Sequence, residues 1–213
     1  MGVNMIGSCI SDDAVCREAS LQEIIRRYYT ALCNFADGKA TENEVNKLGL
    51  LLKKAQITTA YRKCTVAARE RLEKSGVATA AIELPDGTVL TGETSPLLGP
   101  CSALLLNALK HLAGIAHNVK LIPQTMIAPI QKMKVNYLHG HNPRLHTDEV
   151  LVAISMMSLI DENCKLAMDQ LPGLAGSQVH STVMLSEVDR KTFQKLGIGL
   201  TCDPVRKIKK PVA

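Results

Sequence analysis

Between Ser20 and Phe35 the apolar residues Leu21, Ile24, Ile25, Tyr28, Leu32 and Phe35 recur every three or four positions, which places them on one face of an amphipathic helix. Asp37-Gly38 ends it, and Thr41 followed by Glu44 writes a capping box for a second helix carrying Val45, Leu48, Leu51, Leu52 and Ala55. Tyr61, Cys64, Ala68 and Leu72 repeat the spacing before Gly76, a residue suited to closing a helix. Residues 1–76 therefore read as a small helical bundle.

From Val77 the period changes. Ala80 to Leu84 and Thr88 to Thr91 flank Pro85-Asp86-Gly87, the pattern of a β-hairpin. Gly99-Pro100 then opens a segment, Cys101 to Ile115, that is apolar nearly all round and must be buried on several sides. Helices are expected over Asp148 to Leu159 and Glu162 to Gln170, a strand over Val179 to Leu185, a helix over Glu187 to Leu196 capped by Ser186, and a closing strand over Ile198 to Cys202. Hairpin, buried helix, helices and a βαβ unit predict an α/β subdomain over 77–213, a three-layer α/β/α sandwich. Its order is that of cytidine-deaminase-like topology. Those zinc deaminases start the buried helix with His or Cys followed two residues later by Glu; here Cys101-Ser102-Ala103 lacks the Glu, and no P-C-x-x-C follows.

Seven cysteines without a C-x-x-C pair, and no export signal, predict a cytoplasmic protein. The apolar run 103–116 is interrupted by Asn107, Lys110 and His111 and is too short for a bilayer, so no membrane partner is expected. Four of the five net positive charges sit in Arg206, Lys207, Lys209 and Lys210, leaving a nearly neutral body. With no Trp, two Phe and four Tyr, a base-stacking platform is hard to build and nucleic acid is not an expected partner.

The densest polar cluster is Asn136, His139, His141, Asn142, Arg144, His146 and Glu149, in a stretch that Gly140 and Pro143 keep irregular. Three readings stay open. The side chains can cap helices and satisfy backbone groups. Arg144, with His141 and Asn142, can bind a phosphate or carboxylate, completed by Ser177, His180 and Ser181. Or the histidines, joined by His180, can hold zinc, although their spacing follows no zinc motif. A Ser181–His–Glu149 triad would lack its G-x-S-x-G elbow, and no phosphate loop of either glycine-rich type occurs.

The segments Met1 to Met5, EASLQEIIRRYY from Glu18 to Tyr29, KVN at 134–136, HNPRLH at 141–146, HSTV at 180–183, and KLGI with TCDPV near the end resemble the C-terminal part of the bacterial domain-of-unknown-function family eighteen-forty-six. Asn136, His141, Asn142, Arg144, His146, Glu149, Ser177, His180 and Ser181 fall on its motif positions; His139 does not. The resemblance implies a helical subdomain followed by a deaminase-like one, and a longer protein whose preceding part carries a lysine-ended, glycine-rich loop. It names no cofactor and no catalytic residue. The expected function is the substrate- or phosphate-binding half of a nucleotide-dependent enzyme, with a small anionic or nucleotide ligand. The alternative is a non-catalytic assembly module, and a homo-oligomer is expected.

Overall fold

The computed structural model describes residues 12–206; the Met1 to Met5 segment, Cys9 and the lysines at 207, 209 and 210 lie outside them. The chain divides into two compact units between Thr59 and Ala60.

In the first unit, α1 (Asp13–Ala36) starts where the Asp12 carboxylate accepts the Val15 N–H at 3.0 Å. That cap lies about two and a half turns before Leu21, the first periodic apolar residue, so the helix is longer than the hydrophobic stripe predicts. The second helix, α2 (Glu42–Lys54), carries the expected capping box, with Glu44 accepting the Thr41 N–H at 2.7 Å. Ile25, Tyr29 and Leu52 form the buried contact between them, while Phe35 and Leu51, assigned to the stripes by spacing, are largely exposed.

The second unit is mixed α/β. Its helices are α3 (Lys63–Ser75), α4 (Pro100–Leu112), α5 (Gln124–Lys132), α6 (Thr147–Met157), α7 (Glu162–Asp169) and α8 (Glu187–Lys195). Its strands β1 (Thr79–Glu83), β2 (Val89–Glu93), β3 (Gln178–Ser181) and β4 (Gly199–Cys202) form one sheet in the order β2-β1-β3-β4. β1 runs antiparallel to both neighbours, whereas β3 and β4 are parallel and joined through α8. The third helix thus belongs with the sheet and not with the bundle to which its spacing assigned it near Gly76. Its small residues explain this: Ala68 and Cys64 pack on Ala81, and Thr79 Oγ1 donates to the Ala68 carbonyl at 2.6 Å.

Side chains alternate across a strand, so Ala80 and its partner Gly92 face the opposite side, where α4 crosses. A Cβ on Gly92 would stand 2.3 Å from the Leu104 amide nitrogen; only glycine admits the helix this closely. Leu104, Leu105 and Leu109 of α4 are buried with Val150 and Ile154 of α6 and Phe193 of α8, each such side chain contributing about 1.5–3 kcal/mol by burial. The β3 ladder ends at Ser181, four residues short of the stretch its β-prone sequence predicts. No helix among the described residues is long and apolar enough to cross a membrane.

Candidate functional site

After Lys132 the helix α5 widens into one π-type turn, Met133–Tyr137, a departure that often marks functional segments. The turn carries Lys134 inward. This lysine is 8% exposed and its Nζ donates to the Arg144 carbonyl and to Glu149 Oε2, both at 2.7 Å. Glu149 Oε2 also accepts the His146 N–H at 2.7 Å, which satisfies an otherwise orphaned donor at the start of α6. Leu145, between Arg144 and His146, is buried and pairs with Leu98 ahead of α4. The irregular loop is therefore pinned at both ends by buried groups.

On the α8 side, Asp189 is 4% exposed and accepts four hydrogen bonds. Thr147 gives its N–H and Oγ1 to Oδ1, both at 2.9 Å; Ser186 Oγ donates to Oδ2 at 2.8 Å, and His146 Nδ1 lies 3.0 Å from Oδ2. Burial opposes the charge on Asp189, but the bonds from His146, Thr147 and Ser186 outweigh it and hold the carboxyl well below the usual carboxylate range. An ionised carboxylate only accepts, so Nδ1 of His146 must carry the donated proton. In the neutral ring Nε2 is then a bare acceptor, and it has no hydrogen-bond partner among the described residues. The imidazole is a quarter exposed. A carboxylate-oriented imidazole with a free, reachable nitrogen is the arrangement that general acid–base chemistry uses.

The other expected site residues divide. Asn136 and His141 are exposed on the π-turn and the loop. Asn142 Oδ1 accepts the Arg144 N–H at 3.3 Å, a local turn bond. Arg144 Nε donates to the Ser95 carbonyl at 2.7 Å, and its terminal nitrogens form no hydrogen bond with the described residues. Ser177, His180 and Ser181 have separate surroundings. His180 is fully buried on the sheet face covered by α3, its Nδ1 2.9 Å from Thr201 Oγ1 and its Nε2 3.4 Å from Asp203 Oδ2. Ser181 Oγ donates to the Val183 carbonyl at 2.8 Å, and Ser177 Oγ is buried without a partner among the described residues. None of these contacts involves a residue of the His146 cluster. Among the described residues no three His, Cys, Asp or Glu side chains are grouped to hold a metal.

Lys134, Thr147, Ser186 and Asp189 escaped the sequence reading as site residues. Ser186 and Asp189 have the spacing of an ordinary helix cap, and Asp189 does return its N–H to Ser186 Oγ at 3.2 Å. Nothing in that spacing reveals that the carboxylate also reaches across to α6.

These features define a mixed α/β protein with a buried-carboxylate-to-histidine pair where α6 and α8 begin. The chain belongs to the DUF1846 family. The description "Domain of unknown function DUF1846, C-terminal" matches residues 60–210, and "Domain of unknown function DUF1846, N-terminal" matches residues 1–56. The family relation thus extends beyond the C-terminal part alone, and the join of the two matches falls beside the division at Thr59. UPF0371 proteins of Corynebacterium aurimucosum and Streptococcus sanguinis are 48% and 46% identical over 205 residues, 96% of this chain and 41% and 42% of theirs. A UPF0371 protein of Corynebacterium urealyticum is 46% identical over 204 residues, again 41% of its length. The chain spans about two fifths of the curated relatives it matches.

Proposed function

We propose that this chain supplies the substrate- or phosphate-binding half of a nucleotide-dependent enzyme, with His146 as its proton-transferring group and Arg144 as its anion contact. The observation that carries the reading is the pair Asp189–His146, which leaves Nε2 of the imidazole free at a partly exposed edge. Nε2 takes a proton from a hydroxyl or a water, and the charge that develops on the ring is met by the ionised Asp189. The anion is held by side chains, because His146 N–H and Thr147 N–H at the start of α6 are already taken by Glu149 and Asp189. The terminal nitrogens of Arg144 are the donors left over. The nucleotide phosphate loop is assigned to the preceding part of the longer relatives.

The same proposal includes a cytidine-deaminase-like topology. Supporting it are the order β2-β1-β3-β4, with β1 antiparallel to its neighbours, and a buried helix straight after the hairpin. Ser186 and Asp189 stand at the start of α8 with the spacing of the deaminase P-C-x-x-C pair. In this reading an oriented histidine takes the place of the metal ligands.

The test is isothermal titration of ATP and of pyrophosphate into a full-length relative and its Arg144→Ala form. A guanidinium–anion bond contributes about 1.5–3 kcal/mol, so affinity should fall roughly tenfold or more. Equal affinity of the two forms removes Arg144 from the site.

A second reading, a non-catalytic assembly module forming a homo-oligomer, has its own support. α5 and α6 enclose a groove of about 380 Å³, and Met133, Tyr137, Leu138, Met156, Leu159 and Ile160 are 46–85% exposed. Of these, Met133 and Met156 line the groove with Met126, Ile130 and Val152, and an exposed apolar groove marks an interaction surface. Sedimentation equilibrium of wild type and Met156→Lys decides it: an oligomer dissociated by the lysine supports the assembly reading, and a monomer at all concentrations removes it.

A further inference from the structure

A second polar centre lies away from the His146 pair, on the face of α4 turned towards residues 115–122. Lys110 is 9% exposed and forms no ion pair with any described residue. Its Nζ donates to the His117 carbonyl at 2.8 Å and to the Val119 carbonyl at 3.4 Å. An ammonium group has three protons, so one remains uncommitted, and neutral carbonyls leave the charge without a counter-ion. Burial accordingly pushes the lysine pKa down with nothing to oppose it.

Two cavities of about 440 Å³ each meet at this side chain, sharing Asn107, Lys110 and His117. One is lined by Thr91 and His111 together with the apolar Val89, Leu90 and Ile115. The other runs along Leu98, Leu106, Leu121 and Ile127. A buried cation without a counter-ion between a mixed polar and apolar pocket and a mainly apolar channel, in a space the size of small-molecule pockets, has a definite chemical complement.

We propose that Lys110 and the two cavities around it form a binding site for a small carboxylic acid with an apolar body. The carboxylate pairs with the free proton of Lys110 Nζ, and the body lies along Leu98, Leu106 and Ile127. Specificity follows from the unpaired charge: a neutral molecule of the same shape leaves the ammonium without a counter-ion, whereas the acid supplies one. The site uses none of the residues around His146, so either site stands or falls alone.

The probe is octanoate labelled with ¹³C at the carboxyl carbon, titrated into the protein and followed by NMR, with octanamide as the neutral control. Saturable binding of octanoate is expected, at least about tenfold tighter than octanamide and weakened at least about tenfold by Lys110→Met, since bonds to charged groups contribute ~1.5–3 kcal/mol. Ala103→Leu, which narrows the apolar channel while keeping the lysine, should weaken binding as well. The channel assignment therefore does not depend on the folding of Lys110→Met. The proposal is overturned if octanoate fails to saturate by about 10 mM, a limit weaker than a ~3 kcal/mol interaction. It is equally overturned if octanamide binds wild type as well as octanoate does, or if Lys110→Met, correctly folded, binds octanoate unchanged.

Discussion

Two histidine–aspartate pairs stand in the second unit, and they are built oppositely. In the pair His146–Asp189 the carboxylate is buried among four donors and the imidazole is a quarter exposed; in His180–Asp203 the imidazole is fully buried and Asp203 also pairs with the half-exposed Arg69 of α3. The ionised carboxylate fixes the proton on Nδ1 of His146. In His180, Nδ1 lies 2.9 Å from Thr201 Oγ1, whose hydroxyl donates to the Val179 carbonyl at 3.2 Å, and Nε2 lies 3.4 Å from Asp203 Oδ2. One ring thus presents an open acceptor at a partly exposed edge, and the other has both nitrogens enclosed in the fold. The residue pair alone does not make a reactive site; what faces the second nitrogen does.

The largest effect that tests this contrast is on stability. Asp189→Ala strands the Thr147 amide and hydroxyl, Ser186 Oγ and His146 Nδ1, and should cost about 3–5 kcal/mol in urea unfolding. Asp203→Ala should cost less, because Arg69 is 45% exposed and can turn to water. Equal losses would erase the distinction.

Acid should then separate the pairs by pH. Burial holds the His180 pKa below its ordinary value, against the opposing pull of Asp203. The unfolded chain therefore binds that proton first, and stability present above about pH 6.5 is lost as pH falls below it. Asp203 is lowered to about 2, where burial is outweighed by His180 and Arg69. Its contribution is present above about pH 4 and is lost between there and pH 2. Asp189, depressed in the same direction, adds to this second window. Urea midpoints at pH 7.5, 5.5 and 3.5 should show both declines, and His180→Gln should remove the upper one. A flat profile from 7.5 to 5.5 contradicts the buried neutral imidazole.

The smallest stability effect should come from His146→Asn, whose amide still offers Asp189 a donor near the Nδ1 position. A loss of about 1 kcal/mol or less is expected in the same urea assay. In a full-length relative, however, this change should abolish whatever growth or catalytic phenotype the protein supports. A variant that destabilises strongly but leaves the phenotype intact would make His146 a structural clamp.

Much of the fold was legible because periodicity and punctuation agreed. Thr41–Glu44, Pro85–Gly87, Gly99-Pro100 and Ser186 each mark an element boundary that the structure keeps. α5 and its π-turn were not legible: Pro129 inside the helix reads as a breaker, and a single widened turn leaves no apolar period. The division after Thr59 was missed for another reason. Spacing shows that α3 has an apolar face, but not that Cys64 and Ala68 are small enough to lie against Ala81 on a sheet. At the candidate site, loop composition pointed to His146, Arg144 and Glu149, whereas Asp189 is forty-three residues away from His146. Only the packing of α8 on α6 brings it there.

The most direct measurement is a two-bond ¹H–¹⁵N spectrum of the histidine rings at neutral to alkaline pH, with His146→Asn and His180→Gln used for assignment. Nδ1–H with an unprotonated Nε2 is expected in neutral His146, because the ionised Asp189 can only accept. A proton on Nε2 of neutral His146 would mean that Asp189 does not hold the ring as described, and the acid–base site would go with it.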